Sequence, residues 1–367
     1  MTGAPTTAAH DDAWVALALV EGLTARTALD LATRLGGPEA VLSASPAVLT
    51  STGLRPGVVA SIGTARDRSA RERETLGALG ATVITRDDPA YPARLRTIAD
   101  APLALFVRGT LETADDLAVA VVGSRRAGEY GRGVAVELAK GLAQAGLTVV
   151  SGLATGIDGT AHRGALDGGG RTLAVMATGI DRVYPSWHRG LAREIAQSGA
   201  LLTEFPAGTP SLQFHFPKRN RIISGLTVGT VVVEAADRSG SLITAELAVE
   251  QGREVFAVPG PVGARTRGTH QLLRQGAALA EGPEDVLREI APHLPSPAPA
   301  AAPTLTDLET AVMAQLDGMP RSVDEVITRT GLSAGAVLET LLVLELRGVV
   351  RQLAGQCFAR AGGERVG

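Results

Sequence analysis

Apolar positions change their spacing twice along the chain, and the changes divide it into three parts. Over residues 12 to about 70 they recur at helical intervals in short stretches, at 14–20, 25–35 and 38–42, with turns at Gly22, Gly36 and Gly53. The pattern predicts a small helical domain over 1–75, of the helix-hairpin-helix or SAM-like kind. Glu21-Gly22-Leu23-Thr24 supplies one glycine where the hairpin takes two, which favours a plain helical packing module.

From about residue 81 apolar runs of strand length alternate with helical segments. Strands are predicted at 117–122, 147–150, 172–176, 200–203, 228–233 and 255–258. The helices between them are predicted at 131–145, 158–166, 188–198, 219–225, 242–251 and 269–275. Strands without polar alternation, spaced by helices, predict a parallel sheet covered on both faces. Residues 80–291 therefore read as a doubly wound α/β domain, with its ligand site beyond the carboxyl ends of the strands. A Pro/Ala-rich linker at 292–303 follows, an extended and semi-rigid spacer by composition. Residues 304–362 predict helices at 306–316, 322–329 and 333–347, then a strand pair around Val349-Val350 and Cys357-Phe358, which is a winged-helix-like arrangement.

Composition narrows the function classes. With 45% hydrophobic and 20% charged residues, 44 Gly and 20 Pro, the chain is globular and rich in turns. Its apolar runs are too short to span a membrane, and MTGAPTTAAHDD has neither the basic start nor the apolar stretch of an export signal. The expectation is a soluble cytoplasmic protein that needs no membrane. A single cysteine, Cys357, excludes an intrachain disulfide and a cysteine zinc cluster, and neither a metal nor a cofactor is expected. Net charge is −3, so any nucleic-acid surface must be a local patch. Lysine occurs only at Lys140 and Lys218 and asparagine only at Asn220, so the run Phe216-Pro217-Lys218-Arg219-Asn220-Arg221 gathers rare residues.

Four loops carry candidate chemistry. The first is Gly123-Ser124-Arg125-Arg126, a glycine turn between strand and helix that offers N–H groups to an anion. It is not a dinucleotide fingerprint, because Arg125 stands where the second glycine must let a pyrophosphate approach, and no acidic residue closes the second strand. The second loop runs from Ser151-Gly152 through Gly156 to Asp158, with His162 and Arg163 beyond it. Its glycines mark close backbone approach, Asp158 suits an N-cap, and His162 suits packing or a hydrogen bond. In the third, Lys218, Arg219 and Arg221 stand beside Phe214, His215 and Phe216, cations and rings of the kind that hold single-stranded nucleic acid. Asn220 suits either a base edge or the loop backbone. A helix beginning at 219 would set these cations against its dipole, a placement that favours a bound anion. The fourth loop, Glu234 to Ser239-Gly240-Ser241, is another anion-suited helix start, with Glu234 and Asp237 read as ordering the loop.

These stretches resemble the DprA/Smf family, the bacterial DNA-processing proteins of natural transformation. The resemblance rests on Gly123-Ser124-Arg125, Ser151 to Asp158 with Ala161-His162, Gly179 with Tyr184-Pro185, Phe216-Pro217 through Arg219 to Leu226, Glu234-Ala235 with Ser239-Gly240-Ser241, and Gly252-Arg253 with Val255 to Gly260. His270 stands where the family usually has asparagine. The resemblance implies an extended Rossmann-like domain that binds single-stranded DNA, forms a homodimer and loads the RecA recombinase without being an enzyme. It implies a DNA pocket lined by Arg125, Lys218, Arg219, Asn220 and Arg221, with Phe216 beside them. Together with the loops, the expected DNA-binding set is Gly123, Ser124, Arg125, Ser151, Gly152, Gly156, Arg163, Phe216, Lys218, Arg219, Asn220, Arg221, Ser239, Gly240 and Ser241. The alternative is a hydrolase acting on a nucleotide or its phosphoribose, with Glu234 as its carboxylate. The helix at 333–347 has two glutamates, one arginine and five leucines, which suits protein contact better than a DNA groove.

Overall fold

The computed structural model describes residues 7–294 and 305–360. Most of the linker read at 292–303 lies outside these residues. Helices at Thr7–Ala18, Ala25–Leu35, Pro38–Ser43, Pro46–Ser51, Pro56–Gly63 and Ala65–Ala78 open the chain. Three begin on proline, whose fixed φ suits a first turn, and Gly36 (φ 94°) closes the second helix in the left-handed region. Their apolar faces share a core of Trp14, Leu17, Leu31, Val41, Leu49 and Ile62.

The central sheet has nine strands: β1 (Thr82–Thr85), β2 (Ala104–Gly109), β3 (Ala118–Val122), β4 (Thr148–Ser151), β5 (Thr172–Val175), β6 (Ala200–Thr203), β7 (Gly229–Val232), β8 (Glu254–Ala257) and β9 (Ala278–Leu279). Their order is β1-β2-β6-β5-β4-β3-β7-β8-β9. The six strands predicted from sequence are β3 to β8, each within one residue at either end. The sheet is not wholly parallel as predicted. β2 pairs antiparallel with β6 (Phe106↔Thr203), and β1 antiparallel with β2, extending the parallel core at one edge.

β3 explains why both faces are covered. Ala118, Ala120 and Val122 pack with Ile222, Ile223 and Ala245 on one side, while Val119 and Val121 pack with Leu138, Leu142 and Ile157 on the other. A strand apolar at every position fits only between two helical layers. The helices that supply those layers are Glu129–Gln144 and Ile157–Asp167 on one face, and His215–Gly225 and Gly240–Glu250 on the other.

From β3 the chain winds outward through β4, β5 and β6, then returns to place β7 on the other side of β3. Connections therefore diverge between β3 and β7, and a crevice opens at their carboxyl ends. Helices Asp307–Met313, Val323–Thr330 and Ala334–Leu346, with strands β10 (Arg321–Ser322), β11 (Val350–Leu353) and β12 (Cys357–Arg360), form a winged-helix domain around Val312, Val326, Val337, Leu341, Leu344 and Phe358. Its Arg351 pairs with Glu129 of the α/β domain at 3.0 Å. Among the described residues no single helix is long and apolar enough to cross a membrane.

Candidate functional site

The crevice is built by loops that hold one another. The Ser124 N–H donates to the Glu234 carbonyl at 2.7 Å, and the Ile157 N–H donates to the Ser124 carbonyl at 3.2 Å. These bonds tie the turn after β3 to the turn after β7 and to the helix after β4. Two glycines permit this approach. A Cβ on Gly123 would lie 2.6 Å from Ile157 Cγ1, and one on Gly156 (φ 82°) would lie 2.2 Å from the Ser124 carbonyl oxygen. The close approach read from these glycines is thus between the protein's own loops.

The open cleft has a volume of about 940 Å³. Gly123, Ser124, Arg125 and Arg126 form one wall, Arg238, Ser239, Gly240 and Ser241 another, and Phe216, Arg219 and Asn220 lie along the helix His215–Gly225. The Arg125 guanidinium lies over the Phe216 ring, 4.5 Å from its centroid, and Phe216 meets Tyr184 edge to face at 5.8 Å. Among the described residues, Arg125, Arg126, Arg238 and Arg265 of the walls have no carboxylate at ion-pair distance. Among the described residues the one carboxylate in the walls is Asp158, which is buried. Burial raises its pKa, and the Arg219 guanidinium partly opposes the rise. The electrostatic balance of the cleft is strongly positive although the chain's is not.

Arg219 has a different job from Arg125. It is buried and donates to the Gly152 carbonyl at 2.6 Å, to the Val175 carbonyl and to Asn220 Oδ1 at 3.1 Å. Burial lowers its pKa to about 10, opposed by Asp158. It therefore braces the ends of β4 and β5 from beneath the cleft floor. Asn220 Nδ2 donates to the Gly240 carbonyl at 3.3 Å, so of its two possible roles it takes the loop-tying one. The helix begins at His215, not at 219. Lys218 accordingly closes the first turn, while Arg219 and Arg221 lie beyond it, where the dipole's effect has faded and the dipole argument for an anion does not hold.

Of the expected set, Gly123, Ser124, Arg125, Phe216, Arg219, Asn220, Ser239, Gly240 and Ser241 meet at the cleft. The others do not line it. The Ser151 hydroxyl is buried and donates to the Val121 carbonyl at 2.7 Å. Gly152 and Gly156 serve the packing beneath, where a Cβ on Gly152 would strike the Arg219 guanidinium at 2.2 Å. Arg163 forms a two-armed pair with Glu194 at 2.7 and 3.0 Å. Arg221 is held by Glu204 and Asp100, with its side chain only 11% exposed. Lys218 projects outward with its Nζ over the Phe214 ring at 5.6 Å. Among the wall residues outside the expected set are Arg126, Tyr184, Arg238 and Arg265, which carry cations or a ring. Arg126 and Arg238 lie within loops already singled out, so the carboxyl-end rule applied to whole loops would have found them. Arg265 lies in the loop after β8, beyond Gly260 and Gly263, which was not among the four loops singled out.

The remaining titratable groups are structural. Asp158 is not the N-cap it resembled, because Gly156 holds that position and Asp158 lies within the first turn. Both Glu234 oxygens accept from the Gly128 N–H, at 3.2 and 3.3 Å, at the start of helix Glu129–Gln144. Asp237 pairs with Arg267 at 3.6 Å. His162 is buried with Nδ1 against the Thr172 hydroxyl at 2.7 Å, the packing and hydrogen-bonding role read from sequence. His270 Nε2 lies 3.0 Å from the Gly260 carbonyl and so tethers the loop after β8. Among the described residues no group of three or more His, Cys, Asp or Glu could hold a metal ion.

A doubly wound sheet with an arginine-rich cleft at its switch point, joined to a winged helix, defines a multidomain α/β protein. Comparison with known proteins makes the assignment specific: the family model for DNA recombination-mediator protein A matches residues 82–291, and the DprA winged helix domain matches 296–356. The chain belongs to the DprA/Smf family. It is 39% identical over 331 residues to a putative DNA processing protein DprA of Mycobacterium tuberculosis H37Rv, covering 82% of this chain and 85% of the relative. Protein Smf of Escherichia coli K12 is 42% identical over 283 residues, covering 74% of this chain and 76% of that protein. The crystal structure of DprA from Streptococcus pneumoniae is similar with a TM-score of 0.67 at 36% identity, over 76% of this chain and 98% of that one. DprA from Helicobacter pylori, solved for its single-stranded DNA binding mode, is similar with a TM-score of 0.52 at 28% identity, over 57% of this chain and 94% of that one.

Proposed function

We propose that this chain binds single-stranded DNA in the switch-point cleft and, without catalysing a reaction, delivers the strand to a RecA-type recombinase during transformation or recombination. The observation that carries the reading is the set of arginines without carboxylate partners around Phe216, with Arg125 resting on the ring. Guanidinium groups of this kind answer phosphates, and a ring beside them answers an unstacked base. In a duplex the base faces are already stacked, so the ring has nothing to receive. The Helicobacter pylori relative's single-stranded DNA binding supports the assignment. Delivery to RecA, a homodimer and a cytoplasmic setting follow from family resemblance and are part of the proposal.

A mobility-shift titration with a thymidine oligonucleotide and a duplex of equal length tests the reading. The expected result is at least about fivefold tighter binding of the single strand, since stacking contributes roughly 1–3 kcal/mol per base. Equal affinity for the two would contradict it. Light scattering tests the homodimer, with twice the chain mass expected. Nucleation of RecA on coated single strands should become faster when the protein is added.

The hydrolase alternative requires a free carboxylate near a glycosidic bond. Glu234 is buried with both oxygens turned to the Gly128 N–H, so it is committed to the helix start. Release of free base from a nucleoside monophosphate, abolished by Glu234→Gln, would restore that alternative.

A further inference from the structure

A second cavity of about 300 Å³ adjoins the cleft and is walled by Asp181, Arg182, Tyr184, Arg189, Pro210 and Ser211, among others. The two cavities share Tyr184 and Ser211, so they meet at the tyrosine. Residues 178–189 follow β5 and lead into helix Arg189–Ser198, and Pro210 and Ser211 follow β6, all at the same carboxyl edge of the sheet as the other loops.

This edge presents rings and cations in alternation. Tyr184 is 48% exposed, with Phe216 at its edge, and Trp187 is 72% exposed. The indole meets the His188 ring edge to face at 6.4 Å, and His188 Nδ1 is itself 2.9 Å from the Leu153 carbonyl, so the aromatic pair is anchored. Arg182 lies 3.6 Å from Asp181, whose other oxygen accepts from the Gly208 N–H at 2.8 Å. Arg189 has no carboxylate at ion-pair distance among the described residues. A guanidinium without a carboxylate, two residues along the chain from an exposed indole, brings to this edge the residue types that Arg125 and Phe216 bring to the main cleft.

We propose that a single strand leaving the main cleft crosses Tyr184 into this second cavity, where a phosphate meets Arg189, and that a base stacks on the exposed Trp187 ring two residues before that arginine. The proposal rests on the reading of the main cleft as a single-stranded DNA site, and gives that site a direction and a longer footprint. Stacking on a ring needs no particular base, so the extension adds affinity without sequence preference.

Tryptophan emission provides the test, because the only other tryptophan, Trp14, is 4% exposed in the core of the N-terminal helices. Titration with a twenty-residue oligothymidylate should quench the emission of the full chain, and Trp187→Phe should abolish the quench. Arg189→Ala should weaken binding of that oligonucleotide by about five- to tenfold, as loss of a phosphate contact does, yet change binding of a four-residue one less than about twofold. Retarded complexes with unchanged emission and unchanged affinity in Arg189→Ala would overturn this extension while leaving the main site standing. Failure of the unaltered protein to retard any single strand would overturn both.

Discussion

The cleft and the winged helix both contain arginine, but they use it in opposite ways. In the cleft, Arg125, Arg126, Arg238 and Arg265 have no carboxylate partner among the described residues. In the winged helix, Arg321 pairs with Asp317, Arg329 with Glu325, Arg347 with Glu309 and Arg351 with Glu129, while Arg360 donates to the Met313 carbonyl. The helix that a winged helix would lay in a DNA groove, Ala334–Leu346, exposes Leu338, Leu342 and Leu346 instead. An arginine already neutralised must release its carboxylate before it can meet a phosphate. Counting cations therefore misleads, and asking which of them lack partners separates the two regions.

The same distinction operates within the α/β domain and gives the largest expected effect. Arg219→Ala removes the largest of the interactions that favour the buried Asp158 carboxylate, and with it the donor shared by the Gly152 and Val175 carbonyls. Breaking a buried charge arrangement of this kind costs about 3–5 kcal/mol, so urea unfolding should shift to much lower denaturant. A variant of unchanged stability would remove the structural role assigned here.

A smaller effect concerns pH. Burial holds the His162 pKa down at about 3, so the native state keeps it neutral while the unfolded chain protonates it near its ordinary value of about 6.5. Below that value the unfolded state binds the extra proton, and stability falls with falling pH until the folded pKa is reached. Between pH 6.5 and pH 5 this one group removes about 2 kcal/mol. His162→Gln should flatten the unfolding profile by one proton over that range, and an unaltered slope would show that the imidazole is not buried neutral.

The smallest effect is expected from the winged helix. Deleting residues 304–367 should change single-strand affinity by less than about threefold, because exposed ion pairs leave little net positive field for phosphates. Loss of most binding in a folded truncation would reverse the contrast between the two domains.

How legible the molecule was depends on whether a local pattern carries the information. β3 to β8 announce themselves as apolar runs between helices, since a strand buried on both faces needs no polar alternation. β1 and β2 escape because they join antiparallel at an edge, without the crossover helix that marks each parallel strand. The glycine turns were readable because Gly123 and Gly156 stand where a side chain would collide. The fates of Arg125 and Arg219 were not. Both belong to loops or helix starts rich in candidate chemistry, and only the packing of helix His215–Gly225 beneath the ends of β4 and β5 buries one while leaving the other exposed. Arg163 and Arg221 were misplaced for the same reason, since Glu194, Asp100 and Glu204 reach them from distant parts of the chain.

Salt dependence of oligothymidylate binding, compared between the unaltered chain and Arg125→Ala, tests the central claim most directly. If Arg125 holds a phosphate against Phe216, the variant should bind about tenfold more weakly, with a log–log salt slope shallower by about 0.7, the single-strand value for one contact. Identical slopes and affinities would mean that the strand does not pass through this cleft.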